Sequence, residues 1–416
     1  MNLVLSLIVI VVSLEFVTPF DKIRCTERSE FTVCCTKYAL VSVTQTRPTD
    51  VFHQVFSDDL YQITPYAFKD LSVTKLNLHF IGDHKTKLYP ESFFGLPSVR
   101  SLTIRWALLD FSANPFQYLR LLTELIIEAS LTNNLPPNFL ADFPHLRNFS
   151  LAGHNLIDIT RATFSKVNED IERVNLNEGS IQFIEPRSFE RLGHLKYLSL
   201  SRNNLTELQP GVFYGLNDLE ELNLQYSRIK NIPGNFSWSL PQLKKLDLSL
   251  NELWKIHSGC FSGLKNLNYL DLSDNKLVRL EPGAFFDLRE LTFLSLADNE
   301  IEVVHYSVFN SLANLRVLNL GRNHITTIAA YAFSGLTLDI LSLTRNHNPF
   351  SIKSDTFSGL SANEVDIYQF LHDVEIDSMA FRNANLRKLH MNSRLYRQVD
   401  RFEWWLSESV QISVSS

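Results

Sequence analysis

The chain has 416 residues, 45% of them hydrophobic, and its 39 Lys and Arg against 45 Asp and Glu leave a formal net charge of −6. Acidic and basic side chains are interspersed and no basic stripe appears, which argues against nucleic acid as a partner. Apart from residues 3–14 there is no long apolar run, so no membrane span is expected and the mature protein should be soluble.

Residues 3–14 (LVLSLIVIVVSL) form an apolar run shorter than the roughly 20 residues a membrane helix needs, and fit the core of a signal peptide. Residues 1–20 are therefore expected to be removed during secretion. Residues 21–72 follow as an N-terminal cap with a degenerate first repeat. Cys25, Cys34 and Cys35 cluster in it, which in an oxidising compartment makes a disulfide-stapled cap with one thiol left over. That odd thiol could link two chains into a homodimer, or remain free. Cys260 stands alone in a column of small buried residues and reads as an inert core thiol.

Residues 73–396 are governed by a period. Leu195, Leu219, Leu243, Leu267, Leu291 and Leu315 open the phrase Leu-x-x-Leu-x-Leu at a constant spacing of 24 residues, which means a solenoid. Strand side chains alternate faces, so Leu270 and Leu272 are predicted to point inward, with Tyr269, Asp271 and Ser273 outward. One coil cannot bury its apolar edge alone, but stacked coils share a continuous core. Asn203, Asn251, Asn275, Asn299, Asn323 and Asn346 end the strands and should bond neighbouring turn backbones as a ladder. Ile81, Ala107 and Ser130 break that column early in the chain. Gly179 and Ser227 break it inside the regular block, where looser turns are expected. Phe189, Phe213, Phe236, Phe261, Phe285, Phe309, Phe333, Phe357 and Phe381 recur on the return side and should fill the convex core. Residues 397–416 leave the pattern, and Phe402, Trp404, Trp405 and Leu406 are expected to form an apolar lid on the last coil.

With about fourteen such coils, the chain resembles the 24-residue class of extracellular leucine-rich repeat proteins. Toll-like receptor ectodomains, the acid-labile subunit of growth-factor complexes and leucine-rich immune proteins of insects belong to that class. The resemblance implies an α/β-type solenoid: a horseshoe with a concave parallel β-sheet and an irregular or short-helical convex side. It also implies recognition of an extracellular protein or glycan on the concave sheet, in innate immunity or extracellular signalling. A matrix or adhesion component that acts by self-association is the alternative. In that class the N-terminal cap has four cysteines and a cysteine-rich C-terminal cap is usual, whereas this chain has three of the former and none of the latter.

Neither His-Glu-x-x-His nor Gly-x-Ser-x-Gly nor a phosphate-binding loop is present, so no catalytic role and no cofactor are predicted. The candidate surface is read by columns. Tyr269, Phe293, Val317 and Ile340 occupy the same outward position in consecutive coils, which strands about 4.8 Å apart would join into an apolar strip. Asp274, Asp298, Arg322 and Arg345 run beside it, with Asp247 and Asp271 on a neighbouring column. An apolar strip rimmed by charge suits a protein partner, although similar residues are frequent in ordinary repeats. Glu300, His324 and His347 stack at the strand exit, a solvated loop edge rather than an expected metal site. Sequons at Asn148, Asn204 and Asn235 fit passage through a secretory pathway, with a glycan on Asn148 lying over the N-terminal strands.

Overall fold

The computed structural model describes residues 22–415 except 57–58, 82–84, 107, 110–113, 129–131, 134, 137–138, 235, 347–349 and 369–373. The expected signal peptide at 1–20, the sequon asparagine Asn235, and Ala107, Ser130 and His347 lie outside the described residues. The chain divides into two compact units, one of residues 1–181 with 191–195 and one of residues 182–190 with 196–416.

The first unit opens with an antiparallel hairpin, Arg24–Glu27 against Phe31–Cys35, continued by Ala39–Gln45. Cys25 sits directly opposite Cys34 in this register, and the two form the disulfide. Cys35 points its thiol elsewhere and is free. Burial pushes that thiol up to about 11, a rise that the Arg28 charge only partly offsets, so it stays protonated at neutral pH and is a poor nucleophile. After the cap, strands Val51–Val55, Lys75–His79, Ser101–Arg105, Glu124–Glu128, Asn148–Ala152 and Arg173–Asn175 pair parallel, each with the next. Their second and fourth positions are buried, as in Leu76 and Leu78 or Leu125 and Ile127, which is the alternation that a one-sided core demands.

The second unit repeats the arrangement with shorter strands. Tyr197–Ser199, Glu221–Asn223, Lys245–Asp247, Tyr269–Asp271, Phe293–Ser295 and Val317–Asn319 pair parallel in single-residue register. Side-chain oxygens of Asn223, Asp247, Asp271 and Asn319 accept the N–H two residues on, at 2.9–3.0 Å, and turn the backbone out of the sheet at that residue. Later coils have longer strands, Thr337–Ser342, Ser361–Ile367 and Asn385–Asn392. A second parallel set, from Lys255–Ile256 to Val374–Ile376, lines the return side. Helix is almost absent among the described residues: one α-helical turn, Ser393–Tyr396, and the 3-10 turns Phe139–Asp142 and Phe236–Ser239. No helix there is long and apolar enough to cross a membrane.

The core follows the columns. Leu270, Leu272, Leu294 and Leu296 have no exposed surface. Phe285, Phe309 and Phe333 stack coil on coil with centroids 6.1–6.2 Å apart and planes 10–12° from parallel. Cys260 is fully buried in its small-residue column. The asparagine ladder is built as the chemistry of the amide requires: Asn251 Nδ2 donates to Leu224 O and Leu248 O, while its Oδ1 accepts from Ser227 N and Ile229 N. Four backbone groups that would otherwise be buried without partners are thus satisfied by one side chain.

Three expectations are corrected. At Ser227 the turn is not open, because Ser227 Oγ donates to Leu200 O at 3.0 Å and so keeps the bond to the preceding coil. At Gly179 the rung is filled from the coil before: the His154 ring reaches over the glycine, donates from Nε2 to Leu176 O (3.2 Å) and accepts Leu156 N on Nδ1 (3.2 Å). A Cβ on residue 179 would lie 2.0 Å from His154 Cε1, so glycine is the condition for this substitute rung. Residues 397–416 do not leave the repeat. Strand Gln411–Ser415 pairs parallel with Asn385–Asn392, and Trp404 continues the phenylalanine column at 6.3 Å from Phe381. Only Trp404 and Leu406 of the expected lid are buried; Phe402 and Trp405 are 92% and 56% exposed.

Candidate functional site

The outward column of the second unit joins Tyr269, Phe293, Val317 and Ile340 side by side through direct strand pairing. Tyr269 and Phe293 stack with centroids 4.5 Å apart and planes within 4° of parallel. Tyr269, Phe293 and Val317 are half-buried and Ile340 is exposed, so the strip is continuous but open to solvent on one face. The Tyr269 hydroxyl donates to Asp271 Oδ2 at 3.1 Å, which fixes the ring. Desolvation and then the Asp271 charge push this phenol up to about 12, so it remains a neutral donor.

Ion pairs close the strip at both ends. Along the same column Lys245 pairs with Glu221 at 3.0 Å on one side, and Lys388 with Glu364 at 3.4 Å on the other. Exposed pairs of this kind add little stability; they mark where the apolar surface stops. Beyond Ile340 a cleft of about 530 Å³ is bordered by Asp339, Asn363, Glu364, Arg387, Lys388 and Gln411. Sequence reading missed this flank, because the column that continues Ile340 turns from apolar to charged and polar at Glu364, Lys388 and Gln411. Next to it His390 Nδ1 is hydrogen-bonded with Ser413 Oγ, and His390 Nε2 lies 3.8 Å from Asp366 and 3.9 Å from Glu364. Those distances exceed a hydrogen bond, so the two carboxylates act on the ring only through charge.

The charged column is set by the backbone. Asp274, Asp298, Arg322 and Arg345 all have φ between +52° and +56°, as do Arg202, Tyr226 and Leu250 at equivalent places within a few degrees. Left-handed conformation costs a non-glycine residue about 1–2 kcal/mol, and here it lets each N–H reach the next coil, as in Asp274 N to Ala297 O at 3.0 Å. Arg322 Nη1 pairs with Asp298 Oδ1 at 3.3 Å. Asp274 has no ion pair among the described residues, and desolvation, then the Asp298 and Asp271 charges, hold its carboxyl above the usual range. Asp247 is raised for the same first cause, against the Ser249 hydrogen bonds that favour its charged form. The flank is thus acidic along Asp247, Asp271 and Asp274 and turns basic at Arg322 and Arg345. Among the described residues no group of three or more His, Cys, Asp or Glu is placed to hold a metal ion.

Comparison with known proteins agrees with this geometry. The leucine rich repeat family matches residues 169–229, 241–301 and 290–347, and the BspA type leucine rich repeat region matches residues 52–151 and 326–403. The chain belongs to the leucine-rich repeat proteins. No curated protein matches it in sequence. Solved structures with the same fold include the mouse RP105/MD-1 complex, 20% identical over 87% of this chain and 63% of that one, with a TM-score of 0.64. The LRIM1/APL1C complex is 17% identical, covering 94% of this chain and 71% of the other at a TM-score of 0.59. The complex of TLR13 with ssRNA13 is 19% identical, with coverages of 88% and 67% and a TM-score of 0.55.

Proposed function

We propose that this chain is an extracellular recognition protein that captures a protein partner on the outward strand face of its second unit, in immune or developmental signalling. The observation that carries the reading is the Tyr269–Phe293 stack continued by Val317 and Ile340, an ordered apolar strip bounded by ion pairs and flanked by Asp274, Asp298, Arg322 and Arg345. Interfaces concentrate their energy in buried aromatics and arginines with a charged rim. RP105/MD-1 and LRIM1/APL1C are complexes between proteins. TLR13 is seen with RNA, but the Asp247, Asp271 and Asp274 carboxylates on this face would repel a phosphate backbone. A glycan partner is also compatible with the open face. The alternative, a self-associating matrix component, would have Cys35 as its covalent handle, and the half-buried, protonated state of that thiol weighs against it.

Phe293→Ala combined with Arg322→Ala is expected to abolish capture of a partner recovered from native extracellular fluid while the unfolding midpoint stays nearly unchanged. A glycan wedge made by Val317→Asn with Asn319→Thr should do the same. Full capture by both folded variants would move the interface off the strip. Export is tested separately: from a eukaryotic secretory host the protein should reach the medium without residues 1 to about 20, and glycosidase treatment should lower its mass by up to three glycans, on Asn148, Asn204 and Asn235. A retained product that still carries Met1 would refute it.

A further inference from the structure

The N-terminal cap carries a cleft of its own, apart from the strip. A cleft of about 700 Å³ lies between the cap hairpin and the end of strand Val51–Val55. Among the described residues Lys22, Arg24, Arg28 and Lys37 border it against one acid, Asp59, an excess of positive charge on a chain whose net charge is −6. Lys22, Arg24 and Arg28 are exposed and have no ion pair among the described residues. Like charges gathered in excess of their counter-ions repel one another and gain by meeting an anion. The floor is apolar: Val33, Phe56 and Leu60 are 5%, 1% and 6% exposed. Gln54 also borders the cleft, 6% exposed; its Nε2 donates to Val55 O, and its Oε1 has no hydrogen-bond partner among the described residues.

A buried carbonyl acceptor left unsatisfied costs about 1–3 kcal/mol, so a hydroxyl or amide donor entering the cleft would be favoured there. The occupant must therefore combine anionic groups for the cations, a flat apolar face for the floor and a donor for Gln54 Oε1. Bare phosphate lacks the last two. A sugar ring with a sulfate or carboxylate has all three, since its C–H face is apolar and its hydroxyls donate. We propose that this cleft is a binding site for a sulfated or uronic-acid oligosaccharide, with Arg24 and Arg28 holding the anionic groups and Gln54 accepting from a ring hydroxyl.

The test uses the full chain, a heparin-derived hexasaccharide and its desulfated counterpart, with affinities from titration calorimetry at physiological salt. Binding of the sulfated probe should fall about tenfold or more in Arg24→Ala with Arg28→Ala, as expected for losing charge-assisted hydrogen bonds from two exposed side chains. Gln54→Met should weaken it further, and Phe293→Ala with Arg322→Ala should leave it unchanged. Absence of binding, or equal binding by the arginine variant, would overturn the proposal. So would equal affinity for a glutamate peptide or an oligouridylate of matched charge, which would make the site one for acidic peptides or single-stranded RNA.

Discussion

Leu270→Ala is expected to lower stability by about 2–5 kcal/mol, through lost burial and the cavity left in a core that cannot fully collapse. Leu270 has no exposed surface and pairs in register with Leu246 and Leu294, so the cavity opens in the middle of a stack rather than at an end. Coils contact only their neighbours, and a defect in one uncouples both flanks. Lys245→Ala, on an exposed outward position one coil away, should cost no more than about 1 kcal/mol by loss of its pair with Glu221. Asp271→Ala falls between the two, because Asp271 accepts from Ser273 N, Ser273 Oγ and the Tyr269 hydroxyl and so ends the strand. Urea unfolding of the three variants checks the order; equal shifts for Leu270 and Lys245 would mean the strand register is wrong.

Acid should weaken the first unit through His154. This ring is 1% exposed, and burial lowers its pKa from 6.5 to about 4, against a smaller opposite effect of the hydrogen bond to Leu176 O. The folded state thus holds the neutral ring, with Nε2 as donor and Nδ1 as acceptor for Leu156 N. Above pH 6.5 both states are neutral and the full contribution is present. As pH falls from 6.5 towards 4 the unfolded chain takes up a proton that the folded one refuses, and stability drops by up to about 3 kcal/mol. Below about 4 the loss levels off. His154→Asn with Gly179→Asn would rebuild two ladder rungs without a titrating ring, and its stability difference between pH 7.5 and 4.5 should be smaller than the parent's by most of that amount. Equal acid sensitivity of the two proteins would show that His154 is not the responsible group. Gly179→Ala alone should destabilise strongly, since its Cβ would meet the imidazole at 2.0 Å.

The period of 24 by itself determined the strands, the inward leucines, the phenylalanine stack and the column that places Tyr269 beside Phe293. It could do so because in a solenoid the spatial neighbour of a residue is the residue one repeat away, so sequence spacing and contact are the same information. Where the pattern breaks, only the tertiary structure decided. Three cysteines allowed several pairings, and the antiparallel register of the cap chose Cys25 with Cys34. Gly179 read as a fault in the asparagine column, and only packing showed that it is repaired, the ring of His154 occupying the space that a side chain at 179 would need. Phe402 and Trp404 look alike in sequence, but only Trp404 falls at the spacing that buries its ring against Phe381. The cap cleft was equally hidden, because Arg24, Lys37 and Gln54 come from separate segments that no period relates and that meet only when the hairpin folds beside the first strand.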